Sequence, residues 1–76
     1  MKGDLERISI SDLAAFIEIA RHGSMRAAAL ELGLSASALS HALKRLEDRL
    51  GVRLVNRTTR ALSITVEGRE LERYAA

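Results

Sequence analysis

A chain of 76 residues is enough for one small domain, and at this size folding hides only about 60% of the surface the unfolded chain exposes. It contains no cysteine, which excludes disulfides and cysteine-based zinc sites. No apolar run approaches the ~20 residues that span a bilayer and no signal-peptide core follows Met1, so a soluble, cytoplasmic protein with no membrane association is expected.

The net charge is only +2, but it is unevenly placed. Residues 1–35 carry four bases and five acids, and residues 61–76 carry two bases and three acids. Between them, residues 36–60 hold six bases (Lys44, Arg45, Arg49, Arg53, Arg57 and Arg60) against two acids, a local charge of +4. Positive charge concentrated in one segment is the electrostatic pattern of a phosphate-binding surface, although arginine clusters also occur on ordinary solvated faces.

In chain order, Ser9 or Ser11 can cap a first helix, with Asp12 in its first turn where the helix dipole favours an acid. Leu13, Phe16, Ile17 and Ala20 follow at i, i+3, i+4 and i+7, the spacing of one buried face. His22 and Gly23 end this helix, Gly23 in a left-handed conformation and His22 as support for the helix end rather than as a metal ligand. Ser24 caps a short second helix in which Met25, Ala28, Ala29 and Leu32 form the apolar stripe. The paired alanines allow a neighbouring helix to come close. Leu30 lies off that stripe, free to meet another helix of the chain or of a partner.

Gly33 closes the second helix, Leu34 fills the turn and Ser35 caps a long helix running to Leu50. Leu39, Leu43, Leu46 and Leu50 line one side of it; Ser37, Ser40, His41 and Lys44 line the other. Its acids, Glu47 and Asp48, come only near the far end. A helix edge that begins with small hydroxyls, an imidazole and an ammonium can approach base edges in a major groove. Two helices joined by a short glycine-containing turn make a helix-turn-helix pattern, which a plain helical hairpin also satisfies.

Gly51 stops the long helix, and the pattern then alternates. Arg53–Asn56 and Leu62–Thr65 read as two strands around a basic turn, Arg57-Thr58-Thr59-Arg60, which together would form a wing. Arginines at the tip of a wing lie beside a minor groove or its phosphates. Thr65 can cap a last helix on which Leu71, Tyr74 and Ala75 share a face. Its apolar face is too short to hold it alone, and it runs to the last residue without cap or breaker, as expected of a fragment or of a helix that pairs with a second copy.

Together, Phe16, Gly23-Ser24, Ala28-Ala29, Leu32, Ser35, Ser37-Ala38-Leu39-Ser40, Leu46-Glu47, Leu50-Gly51, Leu54, Arg57, Arg60, Thr65 and Gly68 resemble the amino-terminal domain of LysR-type bacterial transcriptional regulators. The resemblance covers Phe16 to Gly68 without a gap. It implies a mainly α winged helix-turn-helix: a three-helix core, a two-stranded hairpin wing and a carboxy-terminal linker helix. Residues 1–64 would be the DNA-binding domain and residues 65–76 the start of the dimerisation helix. It further implies a homodimer, paired through Leu71, Tyr74 and Ala75, that binds double-stranded DNA at an interrupted inverted repeat. Its DNA-contacting residues would be Ser24, Met25, Arg26, Ser35, Ala36, Ser37, Ser40, His41, Lys44, Arg57 and Arg60. The large inducer-binding domain usual in the family lies outside these 76 residues.

Ala36 stands where the family often has glutamine, and His41 where it often has arginine, so a planar bidentate donor gives way to an imidazole. Met25 and Val55 replace frequent aromatics and Glu67 a frequent alanine, none of which opposes the fold. A helical protein-interaction or dimerisation module without DNA binding is the competing reading, but it leaves the acid-free edge unexplained. The two histidines lie on different elements and no glycine-rich phosphate loop or zinc-ligand spacing occurs, so no catalytic residue, metal or cofactor is expected.

Overall fold

The computed structural model describes residues 9–57 and 62–75, with Arg57 described by its backbone alone. The described residues form helices α1 (Ile10–His22), α2 (Met25–Leu32) and α3 (Ala36–Leu50), strands β1 (Val55–Arg57) and β2 (Leu62–Ile64), and helix α4 (Val66–Ala75). This is the expected mainly α winged helix-turn-helix architecture.

The helix limits follow from local chemistry. The Ser24 hydroxyl accepts the Ala27 N–H at 3.1 Å, and the Ser35 hydroxyl accepts the Ala38 N–H at 3.0 Å, each satisfying a donor that the helix ladder leaves open. The start of α1 differs from expectation. Ser9 occupies the cap position, yet its hydroxyl bonds that of Ser11 at 2.8 Å rather than a backbone N–H. The turn between α2 and α3 depends on Gly33, whose φ of 68° lies in the left-handed region. Beyond it, Leu34 N–H donates to Ala29 C=O across five residues at 2.9 Å, which closes α2 in a Schellman-type turn.

Phe16, Ile19, Leu39, Leu43, Leu46, Leu54, Val55 and Leu71 are the largest fully buried side chains. On α1 the buried stripe is rotated from the expected one. Asp12, Ala15, Phe16 and Ile19 are buried, whereas Leu13, Ile17 and Ala20 are half-buried against the core. The cause is that α1 packs on both α2 and α3. One buried member is polar: Asp12 receives two hydrogen bonds from Arg45 of α3, at 3.0 and 3.2 Å. On α2, Ala28 and Ala29 are buried as expected, and Leu30 is 76% exposed.

The hairpin is antiparallel, with Val55 opposite Ile64, Asn56 opposite Ser63 and Arg57 opposite Leu62. Its first strand begins two residues later than expected. Arg53 and Leu54 have other partners: Leu54 N–H donates to the Glu47 carboxylate at 2.7 Å, and Arg53 C=O accepts the Thr65 hydroxyl at 2.6 Å. Thr65 also caps α4, accepting the Gly68 N–H at 2.9 Å. Leu71, expected on a pairing face with Tyr74 and Ala75, is instead buried in the core of its own domain. Only Tyr74 and Ala75 of that trio are exposed, because α4 needs Leu71 to hold it to the rest of the domain.

Candidate nucleic-acid interface

The edge of α3 opposite its leucines is open to solvent. Ala36, Ser37, His41 and Lys44 are exposed and Ser40 is half-buried. Ser35 is also exposed, with its hydroxyl engaged as the cap. Ser40, His41 and Lys44 line an open hollow of about 750 Å³, whose other wall is built by Val52, Arg53 and Val55. The exposed edge of α3 and the base of the hairpin therefore open to the same side.

The two acids of α3 also line this hollow, and each has a partner there. Glu47 turns its carboxylate to the backbone, accepting Leu54 N–H and, at 3.3 Å, Val55 N–H. Asp48 lies 3.6 Å from the Lys44 ammonium, both well exposed, so the pair is held weakly and a phosphate can compete for the lysine. Arg45, which contributes to the local charge of +4, points away to Asp12. The hydrogen bond to Asp12, and then its negative charge, raise the Arg45 pKa above the already high value of an arginine.

At the start of α2, Arg26 is exposed and Met25 is half-buried against the core. The Met25 and Arg26 N–H groups precede the first rung of the helix ladder and have no acceptor within the helix. With Ser24 they form a polar corner that suits a phosphate. The turn arginine Arg60, with Thr58 and Thr59, lies outside the described residues, as does the side chain of Arg57. Two residues outside the expected set of contacts line this hollow: Arg53, counted in the positive segment and placed in a strand, and Glu47, placed near the far end of α3 and in the family motif. Neither role carries a local signal, because each depends on how β1 docks beside α3.

Among the described residues, Glu18, His22 and Glu31 have metal-ligating atoms within 4.8 Å of one another. Glu18 there already accepts Arg21 at 3.3 Å and pairs with the His22 ring at 3.2 Å. Among the same residues no helix is long and apolar enough to cross a membrane.

Residues 10–69 match the family model described as bacterial regulatory helix-turn-helix protein, lysR family. The chain is 55% identical over 65 residues to the uncharacterized HTH-type transcriptional regulator YcaN of Escherichia coli (strain K12), covering 86% of this chain and 22% of that protein. It is 47% identical over 64 residues to the HTH-type transcriptional regulator CrgA of Neisseria meningitidis, covering 84% of this chain and 21% of the relative. Among solved structures, the CbnR DNA-binding domain in complex with DNA superposes with a TM-score of 0.85 at 32% identity, covering 90% of this chain and 78% of that one. The chain thus spans between a fifth and a quarter of the length of the curated relatives it matches. With a winged helix-turn-helix in place and a family model matched along most of its length, the chain belongs to the lysR family of bacterial regulatory helix-turn-helix proteins.

Proposed function

We propose that this chain is the sequence-reading, double-stranded-DNA-binding part of a bacterial transcription regulator acting in the cytoplasm. The observation that carries the reading is the edge of α3, where Ser37, His41 and Lys44 are exposed and Ser40, His41 and Lys44 share an open hollow with Arg53, while the Glu47 carboxylate in that hollow is taken up by the Leu54 and Val55 N–H groups. The DNA complex of the CbnR domain, a relative of the same fold, supports it.

Ser37, Ser40 and His41 read base edges, with Ala36 close to them at the start of the helix. Ser24, Met25 and Arg26, the last two through their backbone N–H groups, hold phosphates together with Ser35, Lys44, Arg57 and Arg60. Residues 1–64 do the reading and residues 65–76 the pairing. This divides roles rather than folding units, since Gly68 and Leu71 are buried with the rest of the core. Two copies pair through the exposed Tyr74 and Ala75 of α4, which suits an interrupted inverted repeat with half-sites about 34 Å or a multiple apart. A reading head of this kind has no catalytic step.

The test is fluorescence anisotropy of labelled mixed-sequence duplex titrated with the protein at several salt concentrations. The proposal expects saturable binding that weakens steeply with salt, by a log–log slope of about 0.9 for each phosphate neutralised. Absence of binding at low salt, with the protein folded, overturns it.

A further inference from the structure

We propose that Glu47 is a positioning residue for DNA binding: its carboxylate sets the hairpin at a fixed place beside the reading edge of α3. The inference rests on the DNA-binding reading above and concerns a residue that need never touch DNA.

Glu47 organises the whole connection from α3 to β1. Its backbone C=O accepts Gly51 N–H at 2.8 Å and Val52 N–H at 3.3 Å, ending the helix. Its carboxylate then reaches past that stop, and one oxygen accepts both Leu54 N–H at 2.7 Å and Val55 N–H at 3.3 Å. Bonds from N–H groups to a charged carboxylate are shorter and stronger than neutral ones, which suits a joint. From the opposite side, Thr65 at the start of α4 donates its hydroxyl to Arg53 C=O and its N–H to Leu54 C=O, at 2.6 and 3.0 Å. The backbone of residues 53–55 is therefore clasped between the last turn of α3 and the first turn of α4. Arg53 and Val55, in that clasped stretch, share the hollow with Ser40, His41 and Lys44.

An acid beside a phosphate-binding surface should hinder binding by repulsion. Keeping one there makes sense if its hydrogen bonds place the cationic hairpin, and two substitutions separate these effects. Glu47→Asp keeps the charge but withdraws the carboxylate by ~1.5 Å, the length of one carbon–carbon bond. Glu47→Gln removes the charge but keeps an oxygen within reach of the N–H groups.

Two readouts are needed: amide hydrogen exchange of the free protein by NMR, and duplex binding by anisotropy. With Glu47→Asp, faster exchange at Leu54 and Val55 is expected while Leu39 and Leu43 of α3 keep their protection, together with DNA binding about tenfold weaker, the loss of one charge-assisted hydrogen bond. With Glu47→Gln, which keeps the acceptor but not its charge, both readouts move in the same direction as with Glu47→Asp but by less. The reverse pattern, with Glu47→Gln binding more tightly and Glu47→Asp unchanged, would make Glu47 a mere repelling charge and overturn the proposal. Unchanged exchange at Leu54 and Val55 in Glu47→Asp also overturns it. A parent protein that fails to bind duplex overturns the DNA reading instead, and the exchange arm, read without DNA, tells the two failures apart.

Discussion

Single residues show how the charge of this small domain is used. Lys44 and Asp48 are one helical turn apart and well exposed, and their weak pairing draws the lysine from the surface proposed to meet phosphates. Asp48→Asn should therefore tighten duplex binding, by about fivefold for a surface Coulomb term of ~1 kcal/mol, as measured by anisotropy at 0.1 M salt. Unchanged or weaker binding would show that Lys44 takes no part. Arg45 is the contrasting case, because its guanidinium is committed to Asp12, a residue 33 positions away in sequence. Arg45→Ala should lower the melting temperature, since it leaves the buried Asp12 carboxylate unpaired, but leave the salt slope of DNA binding as it was. The Arg45 pKa is raised in the folded state, so the stability it contributes is present below its unfolded value and lost only as pH rises through the folded one. That window lies beyond the alkaline end of ordinary work. The melting temperature lost in Arg45→Ala should thus be equal at pH 6 and pH 9, by calorimetry.

At the scale of elements, the parts legible in the sequence are those fixed by near neighbours along the backbone. Ser24 and Ser35 as caps, Gly33 and Gly51 as stops, and the leucine stripe of α3 all rest on interactions within a few residues. The parts that were not legible depend on docking. Ile19 is fully buried although it lies off the expected stripe, because α1 faces two helices at once. β1 starts at Val55 because Glu47 and Thr65 already hold Arg53 and Leu54. Gly68 belongs with these. It sits in a helix, where glycine is a poor choice, yet a Cβ there would strike Leu54 C=O and lie 2.6 Å from Ile64 Cγ2. A bare backbone is what lets α4 lie against the hairpin. Gly68→Ala gains helix propensity but should still destabilise the fold, by about 1–3 kcal/mol for overpacking, in chemical denaturation. A stabilised variant would mean that α4 packs less closely than described.

At the scale of the molecule, the helix-turn-helix and wing were legible because composition and periodicity agree with the charge map: residues 36–60 carry the positive excess, and α3 fills most of that segment. The pairing face was less legible. A helical wheel groups Leu71 with Tyr74 and Ala75, but only the folded domain reveals that Leu71 is buried while Tyr74 is 70% exposed. The candidate interface likewise needed the fold, since Arg53 and Lys44 meet across a hollow that no spacing in the sequence encodes.

Every role proposed above depends on the side bearing Ser40, His41, Lys44 and Arg53 being the one that meets DNA. Titration of the isotopically labelled protein with duplex DNA, followed by amide chemical shifts, tests this residue by residue. The largest changes are expected on Ser37, Ser40, His41, Lys44, Arg53 and the first turn of α2, with the exposed side of α1 around Ala14 and Arg21 nearly unmoved. Largest changes on that side of α1, with α3 silent, would place the DNA on the wrong face and overturn the proposed interface.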